Sequence, residues 1–302
     1  MRVTSRVQPD SEAVALETTL LVHGVPPNVA MRLAQDLSKE IEHSGAKPVI
    51  VGVHCGQPIV GMTEDELGEL LAAGADGVPK LNTSTLGLHL APRYRGHGAT
   101  TVSTTMELAA AAGVRVFSTG GIGGVHRGYA KHLDISADLI ALSRFPVAVV
   151  TSGVKSLLDV EATRETLETL GIPVIGVGTD RFPAFYLRES GAGVDISLDD
   201  PEEIGAFATA ELQRTGRAVV IANPIPETDA LTAPELDGWT ESAHDEAKRA
   251  GVSGRDVTPF VLSGLHELSN GATLRANLAL ARSNARLAGA IASAMPSPTE
   301  RG

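Results

Sequence analysis

The segment Thr104–Gly128 reads TTMELAAAAGVRVFSTGGIGGVHRG. Its first half is rich in Ala and Leu at helical spacing and closes at Gly113, a residue able to take the left-handed conformation that ends a helix. The apolar run Val114–Phe117 follows at once and has the length of a buried strand. A glycine-rich turn, Gly120–Gly128, comes directly after it. Helix, glycine, strand, turn is the unit of an α/β sheet, and the same order recurs on both sides. Further strands are expected at Val14–Leu16, Val49–Val53, Val147–Val150, Val174–Val177 and Val219–Ala222. Further helices are expected at Val29–Glu42, Glu64–Ala73, Glu161–Leu170 and Glu202–Arg214, with Thr104–Ala112 as the one quoted. Gly45, Gly74, Gly171 and Gly216 close four of them, and Thr63 with Glu66 forms a capping box. This alternation predicts a three-layer α/β/α fold with a central, mostly parallel sheet. From Ala233 onward the strand signal is lost, so the C-terminal part is expected to be helical. The roughly six strand-like runs fall short of the eight evenly spaced βα units of a TIM barrel.

The chain has 302 residues, of which 43% are hydrophobic and only 3% aromatic, so the core must be built from Ala, Val, Leu and Ile. One domain over 1–302 is expected, with flexible tails at 1–10 and 296–302. A net charge of −11 argues against a general nucleic-acid binder while leaving room for a local phosphate pocket. The single Cys55 excludes an internal disulfide framework and a cysteine-based zinc finger. No run of about 18 apolar residues predicts a membrane span, and the N-terminus lacks an apolar signal core; a soluble, cytoplasmic protein is expected.

In α/β sheets ligands collect beyond the carboxyl ends of the strands, so the residues there are the candidates for chemistry. Glu17 ends the strand Val14–Leu16. Burial would disfavour its charged form and suit it to general-acid work; the alternative is a structural ion pair. The glycines of Gly120–Gly128 could let backbone N–H groups converge on an anion, with Thr119, His126 and Arg127 beside it; the alternative is a turn with no ligand. Asp134 and Asp138, four residues apart, would share one helix face with Ser136 at its entrance and could hold a hard cation. Alternatively, Asp134 is a helix cap. Lys155, among Val154, Leu157 and Leu158, would lose proton affinity in apolar surroundings and become a nucleophile; the alternative is a snorkelling surface lysine. Lys80, after another short apolar run, is a second candidate for a Schiff base or a phosphate contact. Together these residues describe an enzyme acting on a phosphorylated carbonyl compound.

Six blocks carry a further signal in combination: ALETTLLVHG, GATTVSTTMELA, FSTGGIGGVHRG, DISADLIAL, VTSGVKSLLD and VIANPIPE. In this order, across Val14 to Arg286, they resemble the signature blocks of the pseudouridine-5'-phosphate glycosidase family. The resemblance implies an α/β/α enzyme, usually a homotrimer, that reversibly cleaves pseudouridine 5'-phosphate to uracil and ribose 5-phosphate with a divalent metal, typically Mn2+. By position it implies Lys155 as covalent nucleophile, Glu17 as proton donor and Asp134 as metal ligand. It further implies Lys80, Ser136 and Asp138 as substrate contacts, Val102 as a backbone contact and Asn277 as a base contact. Expected partners are a sugar phosphate and a base or aromatic acceptor, with no nucleic acid and no membrane. Two segments depart from the family pattern. Neutral Asn82–Gly87 stands where the family carries a charged run after Lys80, and the turn Val25–Asn28 is shorter than usual. These departures keep a second reading open, a C-glycosynthase joining ribose 5-phosphate to a non-uracil acceptor, as in alnumycin biosynthesis. A non-catalytic sugar-phosphate binder is a third reading, one that would leave the nucleophile without a use.

Overall fold

Successive side chains of a strand point to opposite faces, and here each face has its own core. Val14 and Leu16 enter one hydrophobic cluster with Val116, Ala148, Val150, Val219 and Ile221. Ala13 and Ala15 enter the other with Phe117, Val149, Val220 and Ala222. Both faces of the sheet are therefore covered, which is why its strands carry unbroken apolar runs. The computed structural model describes residues 3–9, 12–91, 93–252 and 257–296. Its main sheet has nine strands, in the spatial order Thr4–Ser5, Gln57–Val60, Lys47–His54, Ala13–Glu17, Val116–Ser118, Ala148–Thr151, Val219–Ala222, Val174–Val177 and Ile196–Leu198. All neighbours run parallel except Lys47–His54 against Gln57–Val60. The sheet is open, with two distinct edge strands, so a barrel is excluded.

Helices Pro27–His43, Pro201–Thr215 and Ala272–Ala294 cover one face, and Val102–Ala111, Ala137–Leu142 and Val160–Thr169 the other. Ala233–Arg249, Val257–Leu268 and Ala272–Ala294 form the helical C-terminal part. The last of these buries a stripe of small residues, Ala276, Ala281, Ala285, Ala288 and Ala292, that lets it lie close to the sheet. Gly45, Gly74, Gly113, Gly171 and Gly216 all take positive φ at helix ends. Thr63 and Glu66 close the expected capping box.

Several expectations are corrected. Within the expected tail 1–10, residues 4–7 are packed: Thr4–Ser5 pair with Ile59–Val60, Arg6 binds Glu66 at 2.6 and 2.7 Å, and Val7 is buried, while residues 1, 2 and 10 lie outside the described residues. At the other end Pro296 accepts a hydrogen bond from Arg115 at 3.0 Å, while 297–302 lie outside the described residues. A one-turn helix, Tyr129–His132, follows the glycine-rich turn directly, ahead of the helix expected near Asp134. The antiparallel strand Gln57–Val60 and the helix Thr83–His89 were not foreseen.

The chain moves from Ala13–Glu17 outward to one side of the sheet and later returns to place Val116–Ser118 on the other side. The connections leave in opposite directions at this point, so a crevice opens beyond the carboxyl ends of these two strands.

Candidate functional site

Glu17 is the last residue of its strand and sits at the floor of that crevice, 5% exposed. Thr119, just past Ser118 on the adjacent strand, donates its hydroxyl to Glu17 Oε1 at 2.5 Å. Burial raises the Glu17 carboxyl above its ordinary range and the Asp138 charge pushes the same way; Lys155, the Thr119 hydrogen bond and Lys80 oppose it. A carboxyl held up by desolvation keeps its proton further toward neutral pH, which is what a general acid needs. The same interactions put two lysines and one aspartate within electrostatic reach of Glu17.

Lys155 is positioned by close backbone packing. Its N–H donates to Ile122 O at 3.2 Å, and Ile122 pairs with Val154, which binds the lysine to the glycine-rich turn. Gly153 has φ +83°, and a Cβ there would lie 1.8 Å from Pro183 O, so only glycine permits this approach. Lys155 itself is exposed rather than embedded among Val154, Leu157 and Leu158. Only Val154 and Leu158 are fully buried, beneath it, so the apolar-pocket reading is corrected. Lys80 begins the short strand Lys80–Leu81, beside Ala99–Thr100. It keeps exposed area at the crevice mouth, yet desolvation and the Lys155 charge lower its pKa, against a smaller rise from Glu17.

Four amides of the glycine-rich turn are engaged within the protein. Ile122 N–H binds Gly153 O, Gly123 N–H binds Asp138 Oδ2, Val125 N–H binds Thr163 Oγ1 and His126 N–H binds Asp134 O. None of Gly120, Gly121, Gly123 or Gly124 has positive φ. These glycines serve close packing: a Cβ on Gly123 would meet Ser136 Oγ at 2.3 Å, and one on Gly124 would meet Thr163 Oγ1 at 2.3 Å. Thr119, expected near a phosphate, spends its proton on Glu17 instead.

The two aspartates part company. Ser136 caps the helix Ala137–Leu142, accepting from Asp138 N–H at 3.2 Å, and Asp134 lies before the cap. Asp138, in the first turn, is buried and accepts from Ser103 N–H at 3.0 Å and Gly123 N–H at 2.8 Å. It ties the helix start at Val102 to the glycine-rich turn and does not share a face with Asp134 for cation binding. The Asp134 side chain is 62% exposed, with His126 Nδ1 3.6 Å away. One exposed carboxylate is the donor set of a hard ion that keeps most of its water, so Asp134 fits a hydrated divalent cation.

Val102, buried, is the first residue of the helix Val102–Ala111, whose leading amides have no carbonyl partner within the helix. Asn277, 9% exposed, donates from Nδ2 to Gly24 O at 3.2 Å, which fixes its orientation. Its Oδ1 is buried without a partner among the described residues and lies beside Gly120. That orphaned acceptor marks a place for a donor from outside the chain.

One polar residue escaped the sequence reading. Asn284 is completely buried and donates to Thr119 O at 2.8 Å and Ser152 Oγ at 3.1 Å, while accepting from Asn223 Nδ2 at 2.9 Å. It fixes the backbone beneath the acid. The available signal was its spacing: seven residues after Asn277, it shares that helix face. Phe185, at φ +62° and packed on Gly121, closes the same side and gave no sequence signal.

A buried acid within electrostatic reach of two lysines and Asp138 at a sheet switch point defines an α/β enzyme site for acid- and amine-assisted chemistry. The sequence matches "Indigoidine synthase A like protein" over residues 2–294. It is 44% identical to the pseudouridine-5'-phosphate glycosidase of a Nocardioides species, over 96% of this chain and 94% of that one. It is also 44% identical to the enzyme of that name in Methylobacterium nodulans, over 97% of this chain and 86% of the relative. Among solved structures, the prealnumycin C-glycosynthase AlnA in complex with ribulose 5-phosphate superposes with a TM-score of 0.85 at 36% identity, covering 94% and 91% of the two chains. An indigoidine synthase A-like protein from Thermotoga maritima gives 0.86 at 36%, covering 96% and 95%. The chain belongs to the indigoidine synthase A-like family, whose relatives here include pseudouridine-5'-phosphate glycosidases.

Proposed function

We propose that this enzyme makes and breaks the C–C bond between C1' of ribose 5-phosphate and a base carbon, with pseudouridine 5'-phosphate and water going to uracil and ribose 5-phosphate. The observation that carries this is the Glu17 carboxyl, buried and held by Thr119 within reach of the Lys155 and Lys80 charges. The bond to be cut is carbon to carbon, so the leaving atom has no lone pair to protonate, unlike the oxygen of an ordinary glycoside. An amine solves this problem. Lys155 Nζ attacks C1', the C1'–O4' bond breaks, and O4' takes a proton as the ring opens. Glu17 then delivers a proton to the base carbon. The lysine nitrogen pushes its electron pair toward C1', an iminium forms and the C–C bond breaks. Water adds to the iminium, which returns the lysine and releases ribose 5-phosphate. Lys80 and the amide of Val102 at the helix start are suited to the phosphate, a remote handle for the opened chain. The orphaned Asn277 Oδ1 suits an N–H of the base. Asp134, with His126 beside it, would hold a divalent cation, manganese by family resemblance, which supplies a hard charge that fixes water near the sugar.

A second reading shares the sugar chemistry and changes the acceptor. Asn82 caps the neutral helix Thr83–His89 beside Lys80, and Asn277 bonds to Gly24, the residue immediately before the shortened turn Val25–Asn28. Both departures from the family pattern thus lie against the proposed substrate residues. The assay that separates the readings is uracil release from pseudouridine 5'-phosphate with Mn2+. Release supports the first; no release from an enzyme that still condenses ribose 5-phosphate with an electron-rich aromatic supports the second.

A further inference from the structure

Away from the crevice floor, the hairpin turn after Lys47–His54 carries an unusual residue. Cys55 and Gly56 have φ +49° and +75°, the pair of left-handed positions that normally calls for Asn-Gly or Asp-Gly. A cysteine here is strained and exposed, so packing does not account for it. The turn faces residues 96–98. Val53 and Gly98 exchange backbone hydrogen bonds at 3.0 and 2.9 Å, and Gly56 N–H binds Gly96 O at 2.9 Å. This pairing brings His54, Cys55 and His97 together, with one donor atom from each lying within 4.8 Å of the others. The His54 and His97 rings are 4.9 Å apart, and Cys55 Sγ is 4.0 Å from His54 Nε2. His97 Nδ1 is buried with no hydrogen-bond partner among the described residues. Glu69 Oε2 sits 2.8 Å from His54 Nε2 and brings a carboxylate to the group.

We propose that His54, Cys55 and His97 form a structural site for a borderline-soft divalent ion, zinc in the first instance, with Glu69 as the adjacent oxygen donor. Two imidazoles and a thiolate match the donor preference of zinc, and a carboxylate completes four. Donors around tetrahedral zinc stand about 3.5 Å apart, so these side chains need to close by about 1 Å. On binding, the Cys55 thiol gives its proton to solvent and the sulfur bonds the metal; no oxidation is involved. The site differs in chemistry from Asp134, which offers a hard oxygen to a hydrated ion. Its ion would clip the hairpin to the segment that leads through Ala99–Thr100 into the helix start at Val102.

The test is a Co2+ titration of the full chain after chelator treatment, followed by zinc competition. The chain has a single cysteine. A thiolate-to-cobalt charge-transfer band therefore reports on Cys55, and cobalt at Asp134 cannot produce it. One equivalent of Co2+ is expected to raise the band, and one of Zn2+ to abolish it. Cys55→Ser should lack it, and His97→Ala should weaken cobalt binding at least about tenfold, the lower end of what even an outer-shell partner contributes. Zinc should raise the melting temperature of the parent chain and not that of Cys55→Ser. Absence of the band in the parent chain overturns the proposal. So does a band undiminished in both His54→Ala and His97→Ala, which would mark thiolate binding without the imidazoles.

Discussion

Glu17 carries a conflict between stability and use. Its folded pKa is raised by burial, so the folded state holds a proton that the unfolded chain releases as pH rises through the ordinary carboxylate range. Stability is therefore expected to fall with rising pH between the ordinary and the raised value. Glu17→Gln removes that cost, so its melting temperature should exceed the parent's at neutral pH, with the gap closing in acid. The same substitution should lower turnover by about 100-fold or more while leaving imine formation at Lys155 intact. Calorimetry across pH and a steady-state assay check the two halves; an unstable Glu17→Gln that keeps full turnover would contradict both. Thr119→Val tests the hydrogen bond that opposes the raised value. Without that donor the Glu17 pKa rises further, so the descending alkaline limb of the pH–rate profile should move to higher pH. A limb that stays in place or moves to lower pH would show that Thr119 does not set the acid.

Elements enter the site through close backbone approach, and this is where substitutions should act on position rather than on chemistry. Gly153→Ala would press a methyl group into Pro183 O at a left-handed backbone position. It is expected to destabilise the fold by more than about 1 kcal/mol and to depress labelling of Lys155 in whatever protein remains folded. Asp138→Asn leaves one acceptor for the two amides of Ser103 and Gly123, so about 1–3 kcal/mol should be lost in denaturant unfolding. An unchanged midpoint would show that Asp138 does not join these elements. The helix Ala272–Ala294 was legible as part of the helical stretch expected once the strand signal is lost at Ala233. Its two asparagines were unevenly legible: Asn277 came through family resemblance, while the hub role of Asn284 depends on the Thr119 carbonyl and the Ser152 and Asn223 side chains, brought in from distant segments that no local pattern reveals. The pairing of Asp134 with Asp138 failed for a similar local reason. Ser136 took the cap and began the helix two residues later than the spacing of the carboxylates suggested.

At the scale of the whole molecule, the sheet was readable because both faces are buried and the strands are uninterrupted Val, Ile and Ala runs. Its edges were not. Thr4–Ser5 and Ile196–Leu198 are short and partly exposed, and the Cys55–Gly56 turn lacks the Asn or Asp that announces a hairpin. The glycine-rich turn was legible from its position after Val114–Phe117; that the amides of Ile122, Gly123, Val125 and His126 bind inside the protein depends on partners from distant segments and was not. No helix among the described residues is long and apolar enough to cross a membrane. Leu133 and Ile135, which flank Asp134 in sequence, and Ile140 on the following helix stay exposed, apolar surface of the kind a second copy of the chain covers. We propose the homotrimer of the family resemblance; light scattering should give three times 31.3 kDa, and a monomer at micromolar concentration would contradict it. Borohydride reduction in the presence of ribose 5-phosphate probes imine formation at the lysine itself. Peptide mapping should place one pentose-phosphate adduct on Lys155, absent from Lys155→Ala and present in Lys80→Ala. An adduct on Lys80 in the parent enzyme, or on no lysine at all, would contradict the account.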